Sequence, residues 1–377
     1  MKGKIMWIIG ILVILVVSII NFYPREKEVF VSGKEEQDKS SFLTMMYEIS
    51  AESGEYQAVT ENSWPQEGYT FNSNLSKCER GSNIYFDEES SKVIMESNHS
   101  DKCYVYFDKV PVIIDRCANK NMATCMMENY TLDDDLYYHD GNLTNGANDY
   151  SYRYSGANPN NYVCFGSNDE VCPADNLYRI IGIFDGRVKL IKNSIYTYAY
   201  WGGSNTNYDN KWANSTMNTN TLNIDFINTF SEEWKNKIGS TTWYVDGFGN
   251  GARGYNAASL YDIEVRNSTV SYDALVGLVY VSEYAFAASP ENWSLPVVNY
   301  NVEDVRKNNW IFENTLQWTI SRQADSTSHA FFIDGTGLVF GDTITLYSNG
   351  IKPTFTLNNN VTLLSGIGSI DNPYRIS

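Results

Sequence analysis

The pattern of the chain opens with an unbroken apolar run, Ile5 to Ile20 reading IMWIIGILVILVVSII without a charge. A helix of that length spans about 24 Å, and counting from Gly3 to Tyr23 brings it to about 31 Å, close to a hydrocarbon core of about 30 Å. Trp7 and Phe22-Tyr23 fall where interfacial aromatics sit. The pattern predicts a transmembrane signal-anchor over 5–23 behind a cytoplasmic tail, 1–4. A cleaved signal peptide is the alternative, since Lys2 and Lys4 make a basic n-region. Its cleavage site is poor: Val16-x-Ser18 is the near match, and the apolar run continues through Ile19, Ile20 and Phe22.

The rhythm then changes. Residues 24–40, PREKEVFVSGKEEQDKS, are charged and aperiodic, which predicts a stalk over 24–60. Inside it Ser41 precedes Phe42, Met45, Met46 and Ile49, the spacing of one face of a short helix. From Gly68 to Lys109 the period becomes two, with strand candidates at 69–71, 84–86, 92–95 and 103–107. These define a small β module, 61–110. Residues 111–150 read as a connector holding Cys117-x7-Cys125, a local bridge. The remainder, 151–377, reads as one larger domain. Tyr178–Phe184 and Arg187–Ile191 flank Asp185-Gly186, a hairpin signal. Leu222, Phe226, Phe230, Trp234 and Ile238 recur every four residues and predict a helix over 219–238, broken at 229–231. Later strands are expected at 277–281, 318–321, 330–333 and 353–357. The expected class is an N-terminal transmembrane helix, a small disulfide-stapled antiparallel β module and a larger α+β, mainly β, domain.

Charge and cysteine narrow the setting. The formal charge is −17, so there is no basic footprint for nucleic acid. Lysines and arginines flank the apolar run on both sides, leaving its orientation to the cysteines. Cys78, Cys103, Cys117, Cys125, Cys164 and Cys172 form an even set that lies wholly after it. Six paired cysteines suit an oxidising compartment, which puts the body outside the cell and the chain in the membrane as a single-pass protein. Cys78 and Cys103 bracket the central hairpin of a module too small to hold itself together, and closing that loop contributes about 3 kcal/mol. Cys164 and Cys172 bridge just before the 178–191 hairpin. From spacing alone six cysteines allow about fifteen pairings.

Candidate chemistry is sparse. No Gly-x-Ser-x-Gly elbow, Walker loop or HExxH is present, and a framework of paired cysteines spares no thiol nucleophile. His329 near Ser328 and Asp325 is a sequence neighbourhood, whereas triads are assembled in space. No catalytic residue, cofactor or resident metal is expected. Calcium is the cation to consider, at Asp133-Asp-Asp135 or along Asp140-Gly-Asn142-Leu-Thr144, although neither follows the EF-hand spacing. Trp201, Trp212, Trp293 and Trp310 lie in Asn-, Ser- and Gly-rich stretches. Aromatic faces flanked by amides suit sugar rings and their hydroxyls; the alternative is that these indoles anchor long loops on the core.

Two resemblances follow from these motifs. GYTFNSNLSKCERGSNIYFDEESSKVIMESNHSDKCYVYFDK, SYRYSGANPNNYVCFG, LYRIIGIFDGRVKLIK and the terminal DNPYRI together resemble N-terminally anchored surface proteins of gut Firmicutes, a group with no established activity. More distantly, the C-terminal part resembles a bacterial family of unknown function with Trp-x-x-Arg-Ser/Thr near its end and a closing Gly-Val-Arg-Pro-Ala. That resemblance implies a C-type-lectin-like or sulfatase-modifying-factor fold. Trp318-Thr-Ile-Ser-Arg322 and Gly350-Ile-Lys352-Pro353-Thr stand in those places. The displaced Arg322 and the lysine at 352 depart from the pattern, and a bidentate arginine contact does not survive such a change; the favoured role for these residues is structural, the tryptophan as core and the cation as a satisfied buried pair. The expectation is a membrane-anchored bacterial cell-surface protein that recognises a glycan or surface ligand non-covalently. A structural or protein-interaction role, and an extracellular hydrolase, are the alternatives.

Overall fold

The computed structural model describes residues 42–49, 53–59, 68–87, 92–97, 99–109, 117, 120–130, 135–202 and 209–377. The expected membrane segment and residues 24–41 lie outside the described residues. Among those described, no helix is long and apolar enough to cross a membrane. The chain divides into two units, Met1–Pro111 and Val112–Ser377.

In the smaller unit the segment FLTMMYE fits two periods. Phe42, Met45, Met46 and Ile49 suit a helix, yet Leu43, Met45 and Tyr47 alternate. The strand wins, correcting the expected helix: β1 is Phe42–Glu48. A helix this short is marginal by itself, whereas an open strand edge satisfies the backbone and adds Met45 and Tyr47 to a core with Val93, Val105 and Phe107. β2 (Tyr56–Val59) pairs with β1 antiparallel, so the β module begins inside the segment assigned to the stalk. β3 (Tyr69–Cys78) follows, then a separate hairpin of β4 (Asn83–Asp87) and β5 (Lys92–Glu96), then β6 (Lys102–Lys109). The sheet order is β2-β1-β6-β3. β1 and β6 run parallel, so the module is not wholly antiparallel. Cys78 and Cys103, ladder partners on β3 and β6, are disulfide-bonded. Next to them Asp101 accepts the N–H groups of Arg80, Ser82 and Lys102 at 2.8–3.0 Å. Burial opposes its ionisation, but these hydrogen bonds, those from Ser82 foremost, hold its carboxyl at about 2.

In the larger unit, residues expected to form a connector belong to the core. Met122, Ala123, Cys125 and Met126 of the helix Met122–Glu128 are buried with Leu136 and Ala147. Asn121 caps that helix through the Thr124 N–H (2.7 Å), and Cys117–Cys125 ties its first turns down. β7 (Leu136–Tyr138), β8 (Tyr152–Tyr154), β9 (Tyr162–Cys164), β10 (Leu177–Phe184) and β11 (Arg187–Lys192) follow. The predicted hairpin is β10–β11. Its turn residues Asp185 and Gly186 have φ of 49° and 70°, both positive as a type I′ turn requires. A bulge at Ile181 brings Gly182 against β8, where any Cβ would run into the Tyr152 carbonyl.

The remaining strands are β12 (Thr197–Ala199), β13 (Ile238–Gly239), β14 (Thr241–Tyr244), β15 (Ser271–Ala274), β16 (Val276–Gly277), β17 (Gln317–Arg322), β18 (His329–Ile333), β19 (Val339–Thr343), β20 (Asn349–Ile351), β21 (Thr354–Leu357), β22 (Leu363–Ser365) and β23 (Arg375–Ile376). The main sheet runs β13-β21-β11-β10-β8-β7, with β9 on β10 and β16 on β21. A second sheet runs β12-β20-β17-β18-β19. The disulfide Cys164–Cys172 joins the end of β9 to the loop before β10. The fold is β-rich with short helices, as expected.

Two segments differ from expectation. The four-residue recurrence over 219–238 is a wide helical run, Met217–Phe226, one tight turn to Thr229, a break at Phe230, and a short helix Glu232–Lys235. Ile238 has left it to pair with Leu357. Of the strand expected at Gly277-Leu-Val-Tyr-Val, only Gly277 belongs to a paired strand, β16. The chain then winds into the helix Val281–Phe286, all six residues of which are buried. A continuous apolar run carries no period, so pattern alone does not separate strand from buried helix. Glu283 decides it by accepting the Tyr280 N–H (3.0 Å) at the helix start. Its other oxygen meets Lys189 Nζ at 2.5 Å, an ion pair closed on both sides by protein.

Candidate ligand-binding cleft

β10 is apolar except for one guanidinium, and a charge in such a strand must be met by its neighbours or by a ligand. Arg179 is only 6% exposed. Its Nε donates to Asn161 Oδ1 (2.7 Å), and Nη2 donates to Asn158 Oδ1 (3.2 Å) and the Pro159 carbonyl (3.1 Å). Nη1 donates to the Trp310 carbonyl at 3.4 Å. The rings of Tyr162 and Trp310 lie 4.3 and 4.6 Å from the guanidinium carbon. These partners are neutral. Among the described residues no carboxylate pairs with Arg179. Burial lowers its pKa to about 10, with Tyr162 and Glu313 acting the other way, so it stays charged at neutral pH.

Beside it, Lys352 sits between β20 and β21, 4% exposed, with Nζ 2.7 Å from Glu313 Oε1. Burial holds its pKa below the usual lysine range while Glu313 opposes the shift. Arg179 and Lys352 form the floor of an open cleft of about 590 Å³, within the size range of small-ligand sites. Arg306 and Lys307, in the last turn of the helix Glu303–Lys307, line it too. Lys307 pairs outward with Glu303 at 2.7 Å. Arg306 has neither an ion pair nor a side-chain hydrogen bond among the described residues. Asn193 and Asn314 also line the cleft without a side-chain hydrogen bond among the described residues. Among the described residues the lining therefore carries four cations and one carboxylate, Glu313, in a chain of charge −17.

The four tryptophans proposed for sugar stacking are covered by protein. Trp201, Trp212 and Trp293 are 0–1% exposed and Trp310 is 6% exposed. Trp201 Nε1 donates to the Thr319 carbonyl, Trp293 Nε1 to the Ala288 carbonyl and Trp310 Nε1 to the Tyr154 carbonyl, at 2.8–2.9 Å. Polar loop neighbours do not separate the two cases, because an indole that roots a loop in the core has the same flanking residues as one that stacks on a sugar. Only Trp310 reaches the cleft, beneath Arg179. Of the family-motif residues, Trp318 is fully buried with Nε1 donating to the Ala199 carbonyl (3.0 Å). Arg322 donates to the Asp246 carbonyl (2.8 Å). Lys352 is the one that enters the cleft.

The calcium candidates do not converge in the described residues. Asp140 spends its carboxylate on its own turn, accepting Asn142 N (2.9 Å) and Leu143 N (3.2 Å), and Asp133 and Asp134 lie outside the described residues. The one described cluster with ligand spacing is Cys78, Asp101 and Cys103, whose sulfurs are joined in the disulfide. His329 Nδ1 meets Ser326 Oγ at 2.7 Å and Ser328 Oγ at 3.1 Å, away from the cleft.

Arg179, Glu313, Arg306 and Lys307 were not singled out from the sequence. One signal was available: a lone arginine inside the apolar run LYRIIGIF. No protein-family model, curated protein or solved structure matches this chain.

Proposed function

We propose that this is a membrane-anchored bacterial cell-surface protein, single-pass with its body outside the cell, whose larger unit recognises a ligand non-covalently. The apolar run 5–23 supports the anchor, and the three disulfides suit an oxidising compartment. The resemblance to anchored surface proteins points the same way. The observation that carries recognition is the cleft. Two buried cations are held by hydrogen bonds to Asn161 and Glu313, and the amides of Asn193 and Asn314 are left for hydroxyl or carbonyl groups of a ligand. Among the described residues Glu313 is the lone carboxylate lining it, so the paired acids of glycoside hydrolysis do not meet there among them.

A glycan array probed with the full chain tests this reading. Hits that disappear in Asn193→Ala/Asn314→Ala support it. Silence on the array and on intact cells refutes it. A protein ligand is the second reading, favoured by β12, an edge strand of its sheet carrying Tyr198 58% exposed, and by Leu346 and Tyr347, 63% and 52% exposed, just before its neighbour β20.

A further inference from the structure

The charge of the cleft says more than its presence does. A surface of an acidic protein is expected to repel anions, and the lining of this cleft reverses that sign locally. Two of its cations are already committed: Lys352 to Glu313 and Lys307 to Glu303, each at 2.7 Å. The other two are not. Arg179 is surrounded by carbonyls, amides and ring faces, with Glu313 acting on it only from beyond ion-pair distance, and Arg306 makes no ion pair or side-chain hydrogen bond among the described residues. A buried guanidinium solvated only by neutral dipoles is stabilised by any anion that arrives, since the Coulomb attraction is stronger away from bulk water. Arginine also presents parallel N–H donors that match the two oxygens of a carboxylate or sulfate.

We infer that the cleft takes an acidic saccharide, its carboxylate or sulfate drawn to Arg306 over the Arg179–Lys352 floor and its hydroxyls met by Asn193 and Asn314. This inference rests on the proposed ligand-recognition role and adds the ligand class. Glu313 then acts as a brake. It neutralises Lys352 inside the protein and repels the incoming anion, so removing its charge strengthens binding.

The test is isothermal titration calorimetry of the full chain in detergent with trigalacturonate, its fully methyl-esterified neutral form, and a heparin-derived tetrasaccharide. Carboxylate recognition gives heat with the first probe, sulfate recognition gives heat with the third and none with the first because heparin carries both groups, and the neutral ester is weaker than its acid by about tenfold or more. Arg306→Gln removes about tenfold or more of the acidic probe's affinity and leaves the ester unchanged. Glu313→Gln tightens the acidic probe by about two- to fivefold, and Lys211→Gln, an exposed cation outside the cleft, changes nothing. Raising NaCl from 50 to 300 mM weakens the acid and not the ester. Equal affinity for acid and ester, with Arg306→Gln silent, overturns the anion assignment and leaves ligand recognition standing. No heat from any of the three probes at 10 mM overturns the anion assignment too, and with silence on the glycan array and on intact cells it takes the recognition reading with it.

Discussion

Lys189 and Glu283 offer the sharpest test of how the larger unit is held together. Nζ and Oε1 are 2.5 Å apart, with the rings of Trp243 and Tyr280 4.7 and 4.8 Å from the ammonium. At an effective dielectric of about 20 the attraction across this gap is about 7 kcal/mol, most of it offset by taking both ions out of water. The net worth of the pair is therefore small, but removing one partner is costly because the other stays buried. Lys189→Met leaves the Glu283 carboxylate without its ammonium and lowers stability by about 3–5 kcal/mol. For a domain of this size that is a fall in Tm of about 6–20 °C, at about 2–4 °C per kcal/mol. Glu283→Gln keeps an oxygen for the Tyr280 N–H and strands Lys189 instead, with a similar loss. The double variant removes both charges of the pair, leaving Arg153 and Glu264 as the buried charges nearby, and recovers to within about 1–2 kcal/mol of the parent. Calorimetry and urea unfolding of the four proteins complete the cycle. A Lys189→Met protein that melts within about 2 °C of the parent, or a double variant as unstable as the sum of the singles, refutes the reasoning.

The other predictions are simpler to state. Cys78→Ser/Cys103→Ser opens a loop of 25-residue separation and lowers the stability of the smaller unit by about 3–3.5 kcal/mol in the chain-entropy model, read from its unfolding transition. Trp201→Ala and Trp293→Ala, at positions with no exposure, each cost about 3–5 kcal/mol in denaturant titrations; wild-type stability in either refutes their placement in the core. Asp101 titrates in the folded chain at about 2 against an ordinary 3.8. Its contribution is therefore full above about pH 4 and is lost as the pH falls towards 2. Asp101→Asn flattens that acid limb in a pH series of urea midpoints, and an unchanged limb counts against the assignment. Burial of Trp310 beside Arg179 predicts that a ligand entering the cleft perturbs its emission, a change that Trp310→Phe abolishes.

The sequence alone determined the local features whose cause is local. Asp185-Gly186 makes its turn because the dihedrals of a type I′ hairpin suit those two residues, whatever lies around them. The three disulfides join the pairs that nearness along the chain and a bracketed hairpin favoured, although spacing left the connectivity open and the folded chain chose it. The β-rich character follows from short alternating runs between turn residues. Tertiary structure decided wherever one pattern had two solutions. FLTMMYE is a strand because β6 offers an edge and a core to join, and 276–288 is half strand-end, half helix because Glu283 caps a buried turn and pairs with Lys189 ninety-four residues away in sequence. The tryptophans are inside because the sheets fold over them. The cleft was the least legible feature of all. Arg179, Arg306, Glu313 and Lys352 come from a strand, a short helix, a loop and the two-residue link between β20 and β21, and electrostatic fit depends on distances that only the folded chain sets.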